Sequence, residues 1–125
     1  MNQGLDKKIL VIDDDDLVRK SVQNILSKAG YNVTCAADAD KALKAIKQQE
    51  FDLIVSDIRM PGKNGVETIR EIRGIVSDHS PRDIPIIFIT GYAESSEEFK
   101  AELLGEVILK PFDLEHLLIT VREYL

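Results

Sequence analysis

The chain has almost no cysteine, no long apolar run and no excess of positive charge, and each lack removes a class of explanation. Its single cysteine, Cys35, cannot form an internal disulfide, so a reducing, cytoplasmic compartment is the expectation. The longest apolar runs, residues 84–89 and 9–12, are far shorter than the roughly 20 residues a membrane-spanning helix needs. The opening MNQGLDKK has no apolar signal core. Acidic residues outnumber basic ones by 22 to 16, for a net charge of −6. That balance argues against direct nucleic-acid binding by this domain, because phosphate contacts need a basic face. Repeats, low-complexity stretches and linkers are also missing. What remains is one domain of 125 residues, with residues 7–125 as its ordered core and 1–6 as a tail. A chain of this length buries roughly two-thirds of its unfolded surface and needs no disulfide to fold.

Apolar runs and helical periods alternate from start to finish. Lys8-Ile9-Leu10-Val11-Ile12 reads as a strand buried on both faces, β-branched and without polar alternation. Val18, Val22, Ile25, Leu26 and Ala29 fall on one helical face, which Gly30 stops. Residues 31–35 form a weaker second strand, and a helix capped by Asp38 follows, with Ala39, Ala42, Leu43 and Ile46 inside. Residues 53–56 are a third strand. A turn-rich stretch, residues 60–65, leads to a helix carried by Val66, Ile69, Ile72 and Val76. Residues 77–83, with His79 and Pro81, read as a surface loop. Residues 85–90 make the strongest strand in the chain. Ser95 and Glu98 suit a capping box for a short fourth helix ending at Leu104. Residues 106–109 are a fifth strand, and Asp113 caps a last helix. Five strand–helix units in succession imply an α/β domain, with a parallel sheet covered on both faces and right-handed crossovers.

The polar residues that call for explanation share one kind of place. Asp13 and Asp14 follow the first strand, Asp57 the third, and Lys110 the fifth, while Thr90 ends the fourth. Ligands of open α/β sheets bind outside the carboxyl ends of the strands. Three carboxylates converging there repel one another unless a cation sits among them. Mg2+ suits such a site, since it takes one or two carboxylates together with water and phosphate oxygens; Mn2+ is a workable substitute. A carboxylate can also act as a nucleophile and form an acyl phosphate. Lys110 and the Thr90 hydroxyl would then neutralise phosphoryl oxygens, because phosphoryl transfer is mainly positioning and electrostatics.

Taken in order, Ile9-Leu10-Val11-Ile12-Asp13-Asp14, Asp57 with Met60-Pro61-Gly62, Thr90-Gly91 and Lys110-Pro111-Phe112 resemble the receiver domain of two-component response regulators. The resemblance covers essentially the whole chain. It implies a flavodoxin-like (βα)5 fold with strand order 2-1-3-4-5. Asp57 would accept a phosphoryl group from the phosphohistidine of a cognate histidine kinase or phosphotransfer protein, or from a small phosphodonor. Asp14 would bind Mg2+ directly, Asp13 mainly through water, and the main-chain carbonyl of Arg59 would complete the protein's share. Thr90 would be the switch hydroxyl and Lys110 the cation that pairs with the phosphate. The domain would be no enzyme beyond its own phosphorylation and dephosphorylation. It would signal to a downstream output domain or protein through the face of the fourth helix, fifth strand and fifth helix, with phosphorylation-dependent homodimerisation left open. One departure stands out: Val107 occupies the place of the aromatic residue usual in strand five, so coupling from pocket to surface would run differently here.

Two other functions compete with this one. An aspartate-dependent phosphohydrolase of the haloacid dehalogenase type would use Asp13 and Asp15 as its Asp-x-Asp motif, but the acidic pair such enzymes need after the lysine is poorly matched by Asp113 and Glu115. A receiver-like interaction module independent of phosphorylation would have no need of Thr90, Lys110 and the full acidic set. Asp15 and Asp16 read as helix-dipole partners, and Gly62, Asn64 and Gly65 as turn and capping residues. His79 and His116 lie outside the cluster, Arg59 and Tyr92 flank it, and Cys35 reads as a small apolar residue of the second strand.

Overall fold

The computed structural model describes residues 7–58, 64–79, 84–90, 105–109 and 113–125. Its elements run β1 (Lys8–Ile12), α1 (Asp16–Lys28), β2 (Asn32–Ala36), α2 (Ala39–Gln48), β3 (Leu53–Asp57), α3 (Gly65–His79), β4 (Ile86–Thr90), β5 (Glu106–Leu109) and α4 (Leu114–Tyr124). The five strands form one parallel sheet in the order β2-β1-β3-β4-β5. This is the doubly wound, flavodoxin-like α/β arrangement.

The apolar strands lack polar alternation because both of their faces are covered. Leu10, Ile12, Ile54, Ile86 and Phe88 point into one core, where they meet Ala42, Ala45 and Ile46 of α2 and Val66, Ile69 and Ile72 of α3. The intervening residues Ile9, Val11, Leu53, Val55, Ile87 and Ile89 point the other way, against Val22 and Leu26 of α1 and Leu117 and Val121 of α4. Each strand thus feeds two cores, and polar substitution in either direction would strand a side chain in hydrocarbon.

Helix boundaries follow the local chemistry. Asp38 caps α2 by accepting from the Lys41 N–H at 2.8 Å, and Asp113 caps α4 from the Glu115 N–H at 2.9 Å. At the end of α1, Gly30 takes φ of 99°. Its N–H reaches the Ser27 carbonyl at 3.0 Å and the Tyr31 N–H reaches the Leu26 carbonyl at 3.2 Å. That pair of bonds is the Schellman closure, in which glycine carries the left-handed residue without a Cβ clash.

One boundary differs from the sequence expectation. Residues 77–79 are the last turn of α3 and not a loop, so His79 lies in a helix. Nothing before Pro81 forbids helical backbone, and the restriction that proline imposes falls on the residue just before it. The expected fourth helix, ending at Leu104, lies outside the described residues, as does the tail of residues 1–6. Among the described residues no helix is long and apolar enough to cross a membrane.

Replacing Gly30 with alanine should destabilise the protein by about 1–2 kcal/mol, the usual cost of a Cβ in left-handed backbone. A urea transition with a lower midpoint and an unchanged slope is the expected result. An unshifted midpoint would show that the end of α1 rearranges freely.

Candidate functional site

The site begins where β1 stops. The Asp13 N–H continues the sheet by donating to the Ala36 carbonyl of β2 at 3.1 Å, which fixes the backbone of a residue that is only 2% exposed. The Asp13 Oδ1 accepts from the Asp15 N–H at 2.9 Å, turning the chain toward α1. Asp15 then spends its own Oδ1 on the Leu17 and Val18 N–H groups, at 2.9 and 3.3 Å, and so caps the helix. Asp16 lies in the first turn of α1 and pairs with Arg19, whose hydrogen bond and charge hold the Asp16 carboxyl below its usual pKa. Four consecutive aspartates therefore divide into a turn-former, an exposed carboxylate, a cap and an ion-pair partner. Asp14 is exposed like Asp15 and Asp16, but it is the one of the three that belongs to the carboxylate cluster with Asp13 and Asp57.

Asp57 is the last residue of β3 and is 7% exposed. Its main chain is held from two sides. Ser56 donates its hydroxyl to the Asp57 carbonyl at 2.9 Å. From the other side α3 arrives so closely that a Cβ added at Gly65 would collide with that same carbonyl oxygen. The Gly65 N–H donates to the Ile58 carbonyl at 2.7 Å. Asn64 caps α3 through the Glu67 N–H at 2.9 Å, and the buried Thr68 returns its hydroxyl to the Asn64 carbonyl at 2.8 Å. Gly65 is thus a close-approach residue that locks helix to strand, beyond the turn role its sequence context suggests. Asn followed by Gly at a helix start is the same signal in either role, so sequence alone had no means of separating them.

The sheet order brings the two acidic segments together. β1 and β3 are adjacent, with Ile12 opposite Ser56. Carboxylate oxygens of Asp13, Asp14 and Asp57 all lie within 4.8 Å of one another. At an effective dielectric constant near 20, each pair of full charges at such a spacing costs on the order of 3 kcal/mol. A hard cation removes that cost. The donor set is all oxygen, with neither imidazole nor thiolate, and two of its three members are buried. This chemistry fits Mg2+ or Mn2+ better than zinc. Oxygens around an octahedral Mg2+ sit about 2.9–4.2 Å apart, so three carboxylates gathered within 4.8 Å are close to the spacing such an ion needs.

Thr90 closes β4 beside this cluster, since Ile89 pairs with Asp57 and Thr90 with Leu109. Lys110, Arg59 and Tyr92 lie outside the described residues. His116 is exposed in the first turn of α4 and is not among the clustered carboxylates. Cys35 is half-buried on β2, and burial pushes its thiol pKa up. The hydrolase reading loses its second aspartate, because the Asp15 carboxylate is engaged in capping α1.

Comparison with known proteins agrees with this geometry. A family model described as the response regulator receiver domain matches residues 9–122. The chain is similar to the response regulator MprA of Mycobacterium tuberculosis, with 38% identity over 120 residues, covering 94% of this chain and 50% of that protein. Among solved structures it resembles the Vibrio cholerae chemotaxis protein CheY4, with a TM-score of 0.84 and 32% identity over 95% of this chain and 98% of that one. It also resembles the Thermotoga maritima response regulator TrrA, solved with Mg2+ and BeF, with a TM-score of 0.81 and 31% identity over 95% and 99% of the two chains. The chain spans about half the length, or less, of the curated relatives that head the comparison.

If the three carboxylates strain one another, Asp14→Asn should stabilise the protein in EDTA. A gain of about 1 kcal/mol, or about 4 °C in melting temperature, is expected for so exposed a partner. The same variant should lose most of the stabilisation that Mg2+ gives the wild type. A lower melting temperature in EDTA would refute the repulsion. Asp14→Ala should also weaken Mg2+ binding more than Asp13→Ala, because one Asp13 oxygen is already committed to the Asp15 N–H. Equal losses in a metal titration would reverse that ranking.

Proposed function

The chain belongs to the response regulator receiver domain family, and from that premise we propose that it is a phosphoacceptor module whose nucleophile is Asp57. The observation that carries this reading is the convergence of Asp13, Asp14 and Asp57 at one sheet edge, with Asp57 the member whose main chain is clamped between Ser56 and α3. A fixed main chain leaves less to order before the carboxylate reacts, which is how positioning lowers a barrier.

In the proposed reaction one Asp57 oxygen attacks the phosphorus of a phosphohistidine on a histidine kinase or phosphotransfer protein, or of a small acyl phosphate. A P–O bond to Asp57 forms as the P–N or P–O bond to the donor breaks. The electron pair leaves with the donor atom, and a departing imidazole takes up a proton. Hydrolysis later returns phosphate and the free carboxylate. Mg2+, or Mn2+ in its place, would be held by Asp13, Asp14 and Asp57 together with the Arg59 main-chain carbonyl, and would supply charge neutralisation for the phosphoryl oxygens. Family resemblance gives Thr90 and Lys110 the remaining phosphoryl oxygens. Support for the metal comes from the oxygen-only donor set, and from the complex with Mg2+ and BeF formed by the related TrrA.

Downstream, the phosphorylated domain would signal to an output domain or partner protein, either as a monomer or as a phosphorylation-dependent homodimer. Val107 is half-buried and packs into the core that faces α2 and α3, opposite Phe88 on β4. A packed valine has no ring to swing, so coupling to the surface would rest on shifts of strand and helix.

Acetyl phosphate with Mg2+ should add one phosphoryl group to the wild type and none to Asp57→Asn, as read by intact mass. The label should be lost in mildly alkaline buffer, where an acyl phosphate hydrolyses and a phosphoserine ester persists. Undiminished labelling of the variant would remove Asp57 from the role. Labelling at Asp13 instead would restore the hydrolase reading.

A further inference from the structure

Arg19 sits in the second turn of α1 with only 15% of its side chain exposed. Its Nη1 donates to the main-chain carbonyl of Asp13 at 2.8 Å. Its Nη2 pairs with the exposed carboxylate of Asp16, three residues earlier on the same helix. The guanidinium is a rigid planar fork, so holding two acceptors at once fixes their relative positions. Those acceptors lie at the two ends of the acidic corner, one on the strand side of Asp14 and one on the helix side. The Asp13 main chain is therefore gripped on both sides of its Cα, its N–H by the Ala36 carbonyl and its carbonyl by Arg19.

Electrostatics alone would not favour a fixed cation here. A positive charge beside three carboxylates competes with a metal ion for them, and by Coulomb's law it should weaken metal binding. We infer that Arg19 is a positioning residue for the acidic corner, clamping the Asp13 carbonyl to Asp16 so that the Asp13 and Asp14 carboxylates stand ready opposite Asp57. Groups that orient a metal ligand without touching the ion commonly change affinity by ten- to a hundredfold when removed. The inference rests on reading Asp13, Asp14 and Asp57 as a Mg2+ site.

The two roles of the charge predict opposite signs, which makes the test decisive. Calorimetric titration of the full chain with Mg2+ alone should give a dissociation constant about tenfold higher for Arg19→Met than for the wild type. Arg19→Lys keeps the charge but loses the fork, and should fall between the two. Thermal melting in EDTA would confirm that each titrated sample is folded. Unchanged or tighter binding in Arg19→Met overturns the positioning role. Should that variant fail to fold, Arg19→Lys decides, and wild-type affinity there overturns the role equally. Absence of Mg2+ binding by the wild type would overturn the metal-site reading and this inference together, whereas binding by the wild type with no loss in the variants removes Arg19 alone.

Discussion

Repulsion among three aspartates at one edge of the sheet is the constraint around which the rest of the structure is arranged. Like charges this close separate unless the backbone beneath them is held. Here it is held on every side. The Asp13 main chain is tied to β2 and to Arg19, and the Asp57 main chain to Ser56 and to the start of α3. Each tie is an ordinary hydrogen bond or close contact. Together they keep an arrangement that solvent and charge would otherwise spread apart, and a cation bound there would turn the repulsion into affinity.

The crevice itself comes from the winding of the sheet. α1 leaves β1 toward one face and α3 leaves β3 toward the other, as the two separate cores show. β1 and β3 are neighbours, so the strand order reverses its direction of growth between two adjacent strand ends. This is the switch point at which ligands of open α/β sheets bind. The two cores make that geometry stiff, since every central strand is packed on both faces and cannot tilt toward either without opening a cavity.

Most of the elements were legible in the residue pattern, and the reasons are local. Runs such as Ile9 to Ile12 can only be strands buried on both faces. Asp38 and Asp113 announce helix starts, and Gly30 an end. The end of α3 was misread because His79 and its neighbours look like loop residues, yet no breaker precedes Pro81. Gly65 was legible as a turn residue and illegible as a contact, since its partner is the carbonyl of Asp57 on another element. Arg19 gave no signal for a similar reason: an arginine on a helix is ordinary until the carbonyl it grips is known.

The sequence by itself determined the alternation of strands and helices and the placement of Asp13, Asp14, Asp57 and Thr90 at strand ends. It could do so because period, propensity and capping depend on neighbours a few residues apart. Resemblance supplied the strand order that the structure bears out. Only the tertiary structure decided that the carboxylates of Asp13, Asp14 and Asp57 meet within 4.8 Å, and that the start of α3 at Gly65 closes on the Asp57 carbonyl. Those outcomes depend on which strands pair across the sheet and which faces the helices take. Long-range pairing of that kind has no signature in local periodicity, and it is what turns separate acidic residues into one site.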